Sequence, residues 1–324
     1  SYDESTHVTE LIGYAEGEIF KVAEGHVKRS VQSSKDILAR ALMQIEEASK
    51  NTSAFNGVPS GFMAIDRVTL GWQLSDLIII AARPSMGKTA FVLSMARNMA
   101  VDHEQGVAFF SLEMSSVQLM MRLIIAETGL NGNDVKSGRL TPEQWRHLES
   151  ATKPLGAAPL FIDDTPALSV FEFRSKARRL KIHNDIKIII IDYLQLMTTG
   201  QRSENRVQEI SSITRNLKIM AKELNVPIIA LSQLSRAVEK QGNNSSHRPQ
   251  LSDLRDSGSI EQDADCVLFL YRDSYYASQN PDGAEVDADT AECIVAKNRH
   301  GETSTVPLGW DGAHTRFMDV DFKR

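Results

Sequence analysis

The chain has 324 residues, of which 42% are hydrophobic and 24% charged, a balance that excludes a disordered or collagen-like protein. Its length fits either two domains or one large α/β domain with an appendage. Lys and Arg number 36 against 42 Asp and Glu, which gives a net charge of −6. This charge excludes a generally basic nucleic-acid-binding surface, although basic residues can still gather at one site.

The two cysteines, Cys266 and Cys293, both lie inside apolar runs. Two thiols supply neither a disulfide framework nor a thiolate metal site, so we expect a reducing, intracellular compartment and a cytoplasmic protein. The N-terminal residues are polar and acidic and lack the basic and apolar regions of a signal peptide. The longest apolar runs, such as 77–82 and 188–191, are too short to span a membrane, so we expect no membrane partner.

Residues 1–54 differ in pattern from the rest of the chain. Apolar residues recur at helical spacing from Leu11 to Ala23 and again, after a polar stretch, from Ser34 to about Ala48. Two short helices make a poor core of their own. We therefore expect 1–54 to form a helical linker that docks as an arm on a neighbouring subunit, and 55–324 to form the main domain. The alternative is that the linker packs on its own domain.

From Asn56 onward, short apolar runs alternate with segments long enough for a helix, which predicts a parallel sheet covered on both faces. The predicted strands are 77–82, 107–112, 160–162, 187–192 and 228–231. The helices predicted between them are 89–100, 117–127, 170–183 and 207–224. After Ala264 the pattern predicts strands without helices, which would extend the sheet, at 266–271, 292–297, 303–308 and 316–320.

The turn between the first predicted strand and the next helix has the pattern of a Walker A phosphate loop. It consists of Ala82, Arg83, Pro84, Ser85, Met86, Gly87, Lys88 and Thr89. Gly87 would let the backbone approach a phosphate, Lys88 would reach the β- and γ-phosphates, and the Thr89 hydroxyl would ligate Mg²⁺. Ala82 stands where the pattern has glycine, and it allows the backbone less freedom.

Three further polar side chains follow predicted strands at the edge of the sheet where open α/β folds bind ligands. Asp192 ends strand 187–192 as a Walker B acid does, and it would hold Mg²⁺ directly or through water. Glu113 follows strand 107–112 and could act as general base on an attacking water, or it could be an acid that leads a helix. Gln233 could contact the γ-phosphate, or it could complete a turn. Together with the phosphate loop, these residues predict a nucleoside triphosphatase.

A set of segments then occurs in order and at close spacing: GVPSGFMAIDRVTLGWQLSDLIIIAARPSMGKTAF, FFSLEMS, IIIIDYLQLM, IIALSQLSR, LSDLRDSGSIEQDAD and AKNRHG. With them the chain resembles the motor domain of DnaB-type replicative DNA helicases over residues 55–324. The resemblance implies an α/β, RecA-like P-loop NTPase fold, with a mostly parallel central sheet extended by C-terminal antiparallel strands and preceded by the helical linker. The globular N-terminal domain of that family is not among these residues.

The resemblance implies an ATP-dependent helicase that forms a homo-hexameric ring, binds ATP and Mg²⁺ between subunits, and unwinds DNA at the replication fork. Such a helicase moves 5′ to 3′ on single-stranded DNA, and primase and a helicase loader are expected partners. By resemblance, Arg299 would act as an arginine finger on the neighbour's γ-phosphate, with Lys297 assisting. By resemblance, Arg255, Asp256 and Gly258 would contact DNA. Arg202 and Arg206 fall in a polar loop after strand 187–192, where they could line the same DNA channel or form a charged surface loop.

Two other functions remain open at this point. A RecA-like recombinase shares the motor core but forms filaments, and the DYLQL and RDSGSIEQDAD segments favour the helicase. A non-motor scaffold, whose nucleotide only controls assembly, would carry a defect in catalysis. Against the scaffold, Lys88, Glu113, Asp192 and Arg299 are all present in the sequence.

Overall fold

A computed structural model describes residues 13–14, 33–50, 56–200, 205–234, 248–257, 260–277 and 287–320 of the chain. The strands among these residues are β1 (Leu77–Ala82), β2 (Val107–Ser111), β3 (Leu160–Asp163), β4 (Ile188–Asp192), β5 (Ile228–Gln233), β6 (Cys266–Tyr271), β7 (Thr290–Asn298), β8 (Ser304–Asp311) and β9 (Arg316–Asp319). They form one sheet in the order β3-β2-β4-β5-β1-β6-β7-β8-β9. The strands from β3 to β6 in this order are parallel, and β7, β8 and β9 are antiparallel to their neighbours. The α/β fold class predicted from the sequence is therefore confirmed.

The α-helices of the described residues are α1 (Ser34–Lys50), α2 (Met63–Thr69), α3 (Lys88–Arg97), α4 (Ser116–Thr128), α5 (Gly132–Ser137), α6 (Pro142–Ala157), α7 (Val170–Asn184), α8 (Arg206–Leu224), α9 (Ile260–Asp263) and α10 (Asp273–Ala277). The expectation that no helix follows Ala264 is wrong, because α10 forms directly after β6. The sequence patterns also did not predict α2, α5, α6 and α9. A signal for α6 was present, since Thr141 and Gln144 form a capping box around Pro142. Among the described residues, no helix has the length and apolarity needed to cross a membrane.

The core lies on both faces of the sheet. Alternate side chains of β1 point to opposite faces, so Ile78 and Ile80 pack in one cluster and Leu77 and Ile79 in the other. The first cluster includes side chains of α2, α3 and α4, and the second includes those of α7 and α8. Burial on both faces explains why β1 is apolar at every position.

The N-terminal segment is described only in part. Of the predicted helix 11–23, Gly13 and Tyr14 are described, and Gly13 lies buried against Phe171 of α7. The second predicted helix is confirmed as α1. Five large apolar side chains of this helix are each more than half exposed, namely Ile37, Leu38, Leu42, Met43 and Ile45.

Candidate nucleotide-binding site

The strands β1, β2, β4 and β5 end at one edge of the sheet, here called the carboxyl edge. In the strand register, Ala82 of β1 pairs with Gln233 of β5, and Ser111 of β2 pairs with Asp192 of β4. Glu113 follows Ser111 by two residues. The structure therefore brings Asp192, Glu113 and Gln233 to the edge from which the phosphate loop leaves β1.

The phosphate loop turns sharply between β1 and α3. Ser85 and Gly87 have φ values of 66° and 91°, in the left-handed region that favours glycine. At Gly87 a Cβ atom would also come within 3.1 Å of the Phe317 ring, so the position needs glycine for two reasons. The helix starts at Lys88, and Phe91 N donates to the Gly87 carbonyl at 2.8 Å. The N-terminal N–H groups of α3 are thus turned toward the loop, as phosphate binding requires.

Thr89 and Asp192 are joined across the carboxyl edge. The Thr89 hydroxyl donates to Asp192 Oδ2 at 2.7 Å. Asp192 is fully buried, and no described residue donates to its other oxygen, Oδ1. Burial raises the pKa of this carboxyl, whereas the Lys88 charge and the Thr89 hydrogen bond oppose the rise. Asp192 Oδ1 is thus a buried carboxylate oxygen that accepts no hydrogen bond from the described residues, and it lies beside a hydroxyl. Two such oxygens are suitable ligands for a small hard cation such as Mg²⁺.

No group of three or more His, Cys, Asp or Glu residues within the described ranges is arranged to hold a metal ion by itself. A cation at Thr89 and Asp192 would therefore need oxygens from another source. The phosphates of a bound nucleotide are the usual source for Mg²⁺, which takes only one or two protein ligands in such sites.

Lys88 lies beside Asp192 and Glu113, and its ammonium group is largely shielded from water. Its ammonium nitrogen is 4.5 Å from the centre of the Tyr193 ring. Burial lowers the pKa of Lys88, and the nearby Asp192 and Glu113 carboxylates oppose the fall. An anionic ligand would stabilise this buried ammonium strongly, because the attraction between opposite charges is larger where the dielectric constant is low. A phosphate would be such a ligand.

A cavity of about 470 Å³ opens above these residues. The predicted residues that line it are Ala82, Arg83, Pro84, Ser85, Gly87, Lys88, Thr89, Glu113 and Gln233. Met86 of the loop is buried away from it in the core. The cavity is also lined by residues that the sequence reading missed, namely Arg122, Arg272, Trp310 and Thr315.

Arg272 and Trp310 form a flat wall of the cavity. The Arg272 guanidinium carbon lies 4.3 Å from the centre of the Trp310 ring, and the centres of the Trp310 and Phe317 rings are 4.6 Å apart. Burial lowers the pKa of Arg272. Arg272 directly follows β6. The search for polar residues at strand ends, which identified Glu113 and Gln233, could therefore have identified Arg272 as well. Trp310 lies on the antiparallel β8, and no motif marked it.

Gln195, in the turn after β4, fixes the end of β5. Its side-chain nitrogen donates to Ser232 Oγ at 2.9 Å and to the Gln233 carbonyl at 3.2 Å, and its side-chain oxygen accepts from Gln233 N at 3.2 Å. The carbonyl of Gln195 in turn accepts from Arg206, which also pairs with Glu209. Arg206 therefore joins the first turn of α8 to the loop beside the cavity.

Lys297 and Arg299 lie at the opposite edge of the sheet. Their neighbour Asn298 pairs with Cys266, the first residue of β6, whereas the phosphate loop follows the last residue of β1. A strand of this length spans about 20 Å at roughly 3.3 Å per residue. Lys297 Nζ donates to the carbonyls of Glu261 at 2.6 Å and Ala264 at 2.8 Å. Neither cation can therefore serve this chain's own phosphate loop.

Of the five residues expected to contact DNA, Arg206 has a described side chain. Arg202 and Gly258 lie outside the described residues, and so do the side chains of Arg255 and Asp256. Only the guanidinium of Arg206 is described, and its side chain is about half exposed.

Comparison with known proteins places the chain in a family. The profile of the family described as DnaB-like helicase C terminal domain matches residues 57–319. The chain is 44% identical to the "Replicative DNA helicase DnaB" of Geobacillus stearothermophilus over 321 residues, which cover 99% of this chain and 69% of that protein. It is 46% identical to the "Probable replicative DNA helicase" of Trieres chinensis, with 99% of this chain and 70% of that protein covered.

Solved structures agree with these relatives. One structure, described as an ATPase domain, is similar with a TM-score of 0.81 at 40% identity, covering 89% of this chain and 99% of that one. A DnaB-like replicative helicase, solved for its interactions with primase, has a TM-score of 0.80 at 37% identity and covers 95% of this chain and 71% of that one. The chain belongs to the DnaB-like helicases and carries their C-terminal domain.

Proposed function

We propose that this chain is the motor of an ATP-dependent replicative DNA helicase that forms a hexameric ring and moves 5′ to 3′ along single-stranded DNA. Its family consists of nucleotide-hydrolysing enzymes, and its relatives are replicative DNA helicases. The observation that carries the proposal is the cavity at the carboxyl edge, where Lys88, the Thr89–Asp192 pair and Glu113 converge.

The residues fit a nucleoside triphosphate with Mg²⁺. Thr89 and Asp192 would hold the cation, since Asp192 Oδ1 is buried with no donor from the described residues. Bound Mg²⁺ would neutralise charge on the β- and γ-phosphates during transfer. The backbone of the phosphate loop would bind the phosphates, and Lys88 would place its positive charge against them.

Hydrolysis needs a base for the attacking water. Glu113 lines the cavity, and its carboxylate is close enough to Lys88 to oppose the fall in the pKa of that lysine. We assign it the role of accepting a proton from water, a role that typically contributes about 10²–10⁴-fold to the rate. Gln233, whose backbone is fixed by Gln195, would contact the γ-phosphate and register its loss.

The wall formed by Arg272 and Trp310 suits the nucleobase. A guanidinium stacked on an indole gives a flat, polarisable surface, and bases stack on such surfaces without regard to their hydrogen-bonding edges. The wall therefore adds affinity for the nucleotide and gives little discrimination between bases.

The placement of Arg299 supports catalysis between subunits. It lies at the edge opposite its own cavity, so it can reach a γ-phosphate only in a neighbouring copy of the chain. An arginine supplied in trans stabilises the charge of the transition state and makes hydrolysis depend on assembly. Lys297 is held by two carbonyls, so its assistance would consist in bracing the turn that carries Arg299.

Assembly needs a contact between subunits, and residues 1–54 are proposed as the arm that makes it. The apolar side chains of α1 remain exposed in the single chain, where Ile45 is 66% exposed. An exposed apolar face of this kind marks a surface that another protein surface covers. The proposed occupant is a second copy of this chain.

The remaining partners follow from the same function. Arg206 and the unplaced residues Arg202, Arg255, Asp256 and Gly258 are proposed to contact the DNA backbone, since contacts to phosphate let any sequence pass. Primase is a proposed partner because a similar structure shows a DnaB-like helicase with it, and a helicase loader is proposed beside it. The buried free thiols of Cys266 and Cys293 fit the cytoplasm.

ATP hydrolysis and particle mass test this proposal together. We expect Mg²⁺-dependent hydrolysis that single-stranded DNA stimulates, and a mass of about six chains by light scattering with ATP present. Hydrolysis at full rate by single chains would contradict the proposal, because Arg299 would then have no neighbour to act on.

A further inference from the structure

We propose that Asp265 is a positioning residue that holds the Arg299 guanidinium in place for the neighbouring subunit. This inference rests on the proposed function, in which Arg299 acts in trans. Asp265 lies just before β6, far from the cavity of its own chain, and none of the sequence motifs assigned it a role of its own.

Asp265 accepts hydrogen bonds from Arg299 through both its backbone carbonyl and its side chain. Arg299 Nη1 donates to Asp265 Oδ1 at 2.9 Å, and Arg299 N donates to the Asp265 carbonyl at 3.0 Å. A third bond runs from Arg299 Nη2 to the Gln262 carbonyl at 3.0 Å. The side-chain bonds use two of the five N–H donors of a guanidinium, so donors remain for a phosphate.

The other oxygen of Asp265 anchors the carboxylate in the fold. Asp265 Oδ2 accepts from Leu77 N at 2.8 Å and from the ammonium of Lys218 on α8. The Asp265 side chain is only 4% exposed, whereas that of Arg299 is 49% exposed. A buried carboxylate fixed on one side thus holds a half-exposed guanidinium on the other.

The charges at this edge also favour a fixed arginine. Asp76 lies beside Asp265, and burial together with the Asp265 charge raises the pKa of Asp76. Lys218 offsets part of this negative charge, and His300 Nε2 lies 2.8 Å from Asp76 Oδ2. Arg299 supplies the further cation that the two buried carboxylates need. Its position is therefore set before a neighbouring subunit arrives, and a group fixed in advance loses little entropy when it acts.

A double-mutant cycle on ATP hydrolysis tests the inference. The variants are Asp265→Asn, Arg299→Ala and the two combined, each measured as the full chain with Mg²⁺ and single-stranded DNA. Asp263→Asn is the matched control, since Asp263 lies two residues away and its carboxylate accepts from Thr214 instead. We expect Arg299→Ala to lower kcat about a thousandfold or more, and Asp265→Asn to lower it between about tenfold and about a hundredfold.

Two readouts separate positioning from a structural role. The KM for ATP of Asp265→Asn should stay at the wild-type value, because the cavity lies at the other edge. In the Arg299→Ala background, Asp265→Asn should cause no further loss of kcat. An equal loss in both backgrounds, or an unchanged kcat in Asp265→Asn, overturns the inference while leaving the role of Arg299 intact. A wild-type kcat in Arg299→Ala overturns that role itself.

If Asp265→Asn does not fold, the pair Lys218→Gln with Asp265→Asn removes both members of the buried Lys218–Asp265 ion pair together, while Asp76 keeps its contact with His300. The same cycle is then run with this pair. A loss of kcat that disappears in the Arg299→Ala background supports positioning, and a loss that persists there overturns it.

Discussion

The hydroxyl of Thr89 and the carboxylate of Asp192 lie 2.7 Å apart across the carboxyl edge, although 103 residues separate them in the chain. One follows β1 and the other ends β4, two strands with β5 between them in the sheet. This contact joins the first turn of α3 to the end of β4. It leaves Asp192 Oδ1 as a possible ligand for a cation.

The Thr89 hydroxyl itself is expected to matter for hydrolysis. Thr89→Ala removes a proposed Mg²⁺ ligand and the donor to Asp192, so we expect kcat to fall by about a hundredfold or more, within the range seen for lost groups that stabilise transition-state charge. Thr89→Ser keeps the hydroxyl and should retain most activity. Steady-state ATP hydrolysis over a range of Mg²⁺ concentrations measures both, and equal losses in the two variants would contradict the assignment.

Asp192 should lower the stability of the nucleotide-free protein. Folding raises the pKa of this carboxyl above its ordinary value of 3.8, so its ionisation costs the folded state free energy at higher pH. We expect Asp192→Asn to raise the unfolding temperature at pH 7 while abolishing hydrolysis. The gain should shrink as the pH falls through the raised pKa of Asp192 toward about 4, and it should vanish below that, where the wild-type carboxyl is protonated in both states. Thermal unfolding across this pH range would refute the idea if the variant were the less stable protein at pH 7.

Glu113 is expected to act in chemistry and not in binding. Glu113→Gln keeps the size of the side chain but cannot accept a proton, so kcat should fall by about 10²–10⁴-fold with little change in the affinity for ATP. Glu143→Gln is the control, because Glu143 is an exposed glutamate at the start of α6. A Glu113→Gln variant that hydrolyses ATP at the wild-type rate would remove the residue from the mechanism.

The wall of Arg272 and Trp310 should contribute to nucleotide affinity. We expect Trp310→Ala to raise the KM for ATP about tenfold, as the loss of one base stack does, and Trp310→Phe to keep it. Inorganic tripolyphosphate, which has no base, should inhibit both variants and the wild type at the same concentration. A weaker inhibition of Trp310→Ala would mean that the substitution had disturbed the phosphate loop.

The exposed face of α1 should be needed for assembly. Ile45→Glu places a charge on that face, so we expect the particle mass in solution to fall toward that of one chain, without a lower unfolding temperature. Ile182→Glu is the control, since Ile182 on α7 is an isoleucine of similar exposure. If the Ile45→Glu variant kept the wild-type particle mass, the proposal that residues 1–54 dock on a neighbouring subunit would be wrong.

The parallel half of the fold could be predicted because each strand is a continuous apolar run. β1 begins and ends where the sequence predicts, and the polar residues that follow β2, β4 and β5 do meet at one edge. Trp310 could not be predicted, because it reaches the cavity only when the antiparallel strands fold back and Phe317 packs beside Gly87. The bond between Asp265 and Lys218 joins positions 47 residues apart, so no local sequence pattern could predict it.

Strand displacement on forked DNA tests the motor most directly. The measurement compares a fork with a 5′ single-stranded tail and a fork with a 3′ tail, both with Mg²⁺ and ATP, and it includes Glu113→Gln as the inactive control. We expect unwinding that needs the 5′ tail and disappears in Glu113→Gln. Hydrolysis of ATP that DNA stimulates without any unwinding, or unwinding that needs only the 3′ tail, would contradict the proposed motor.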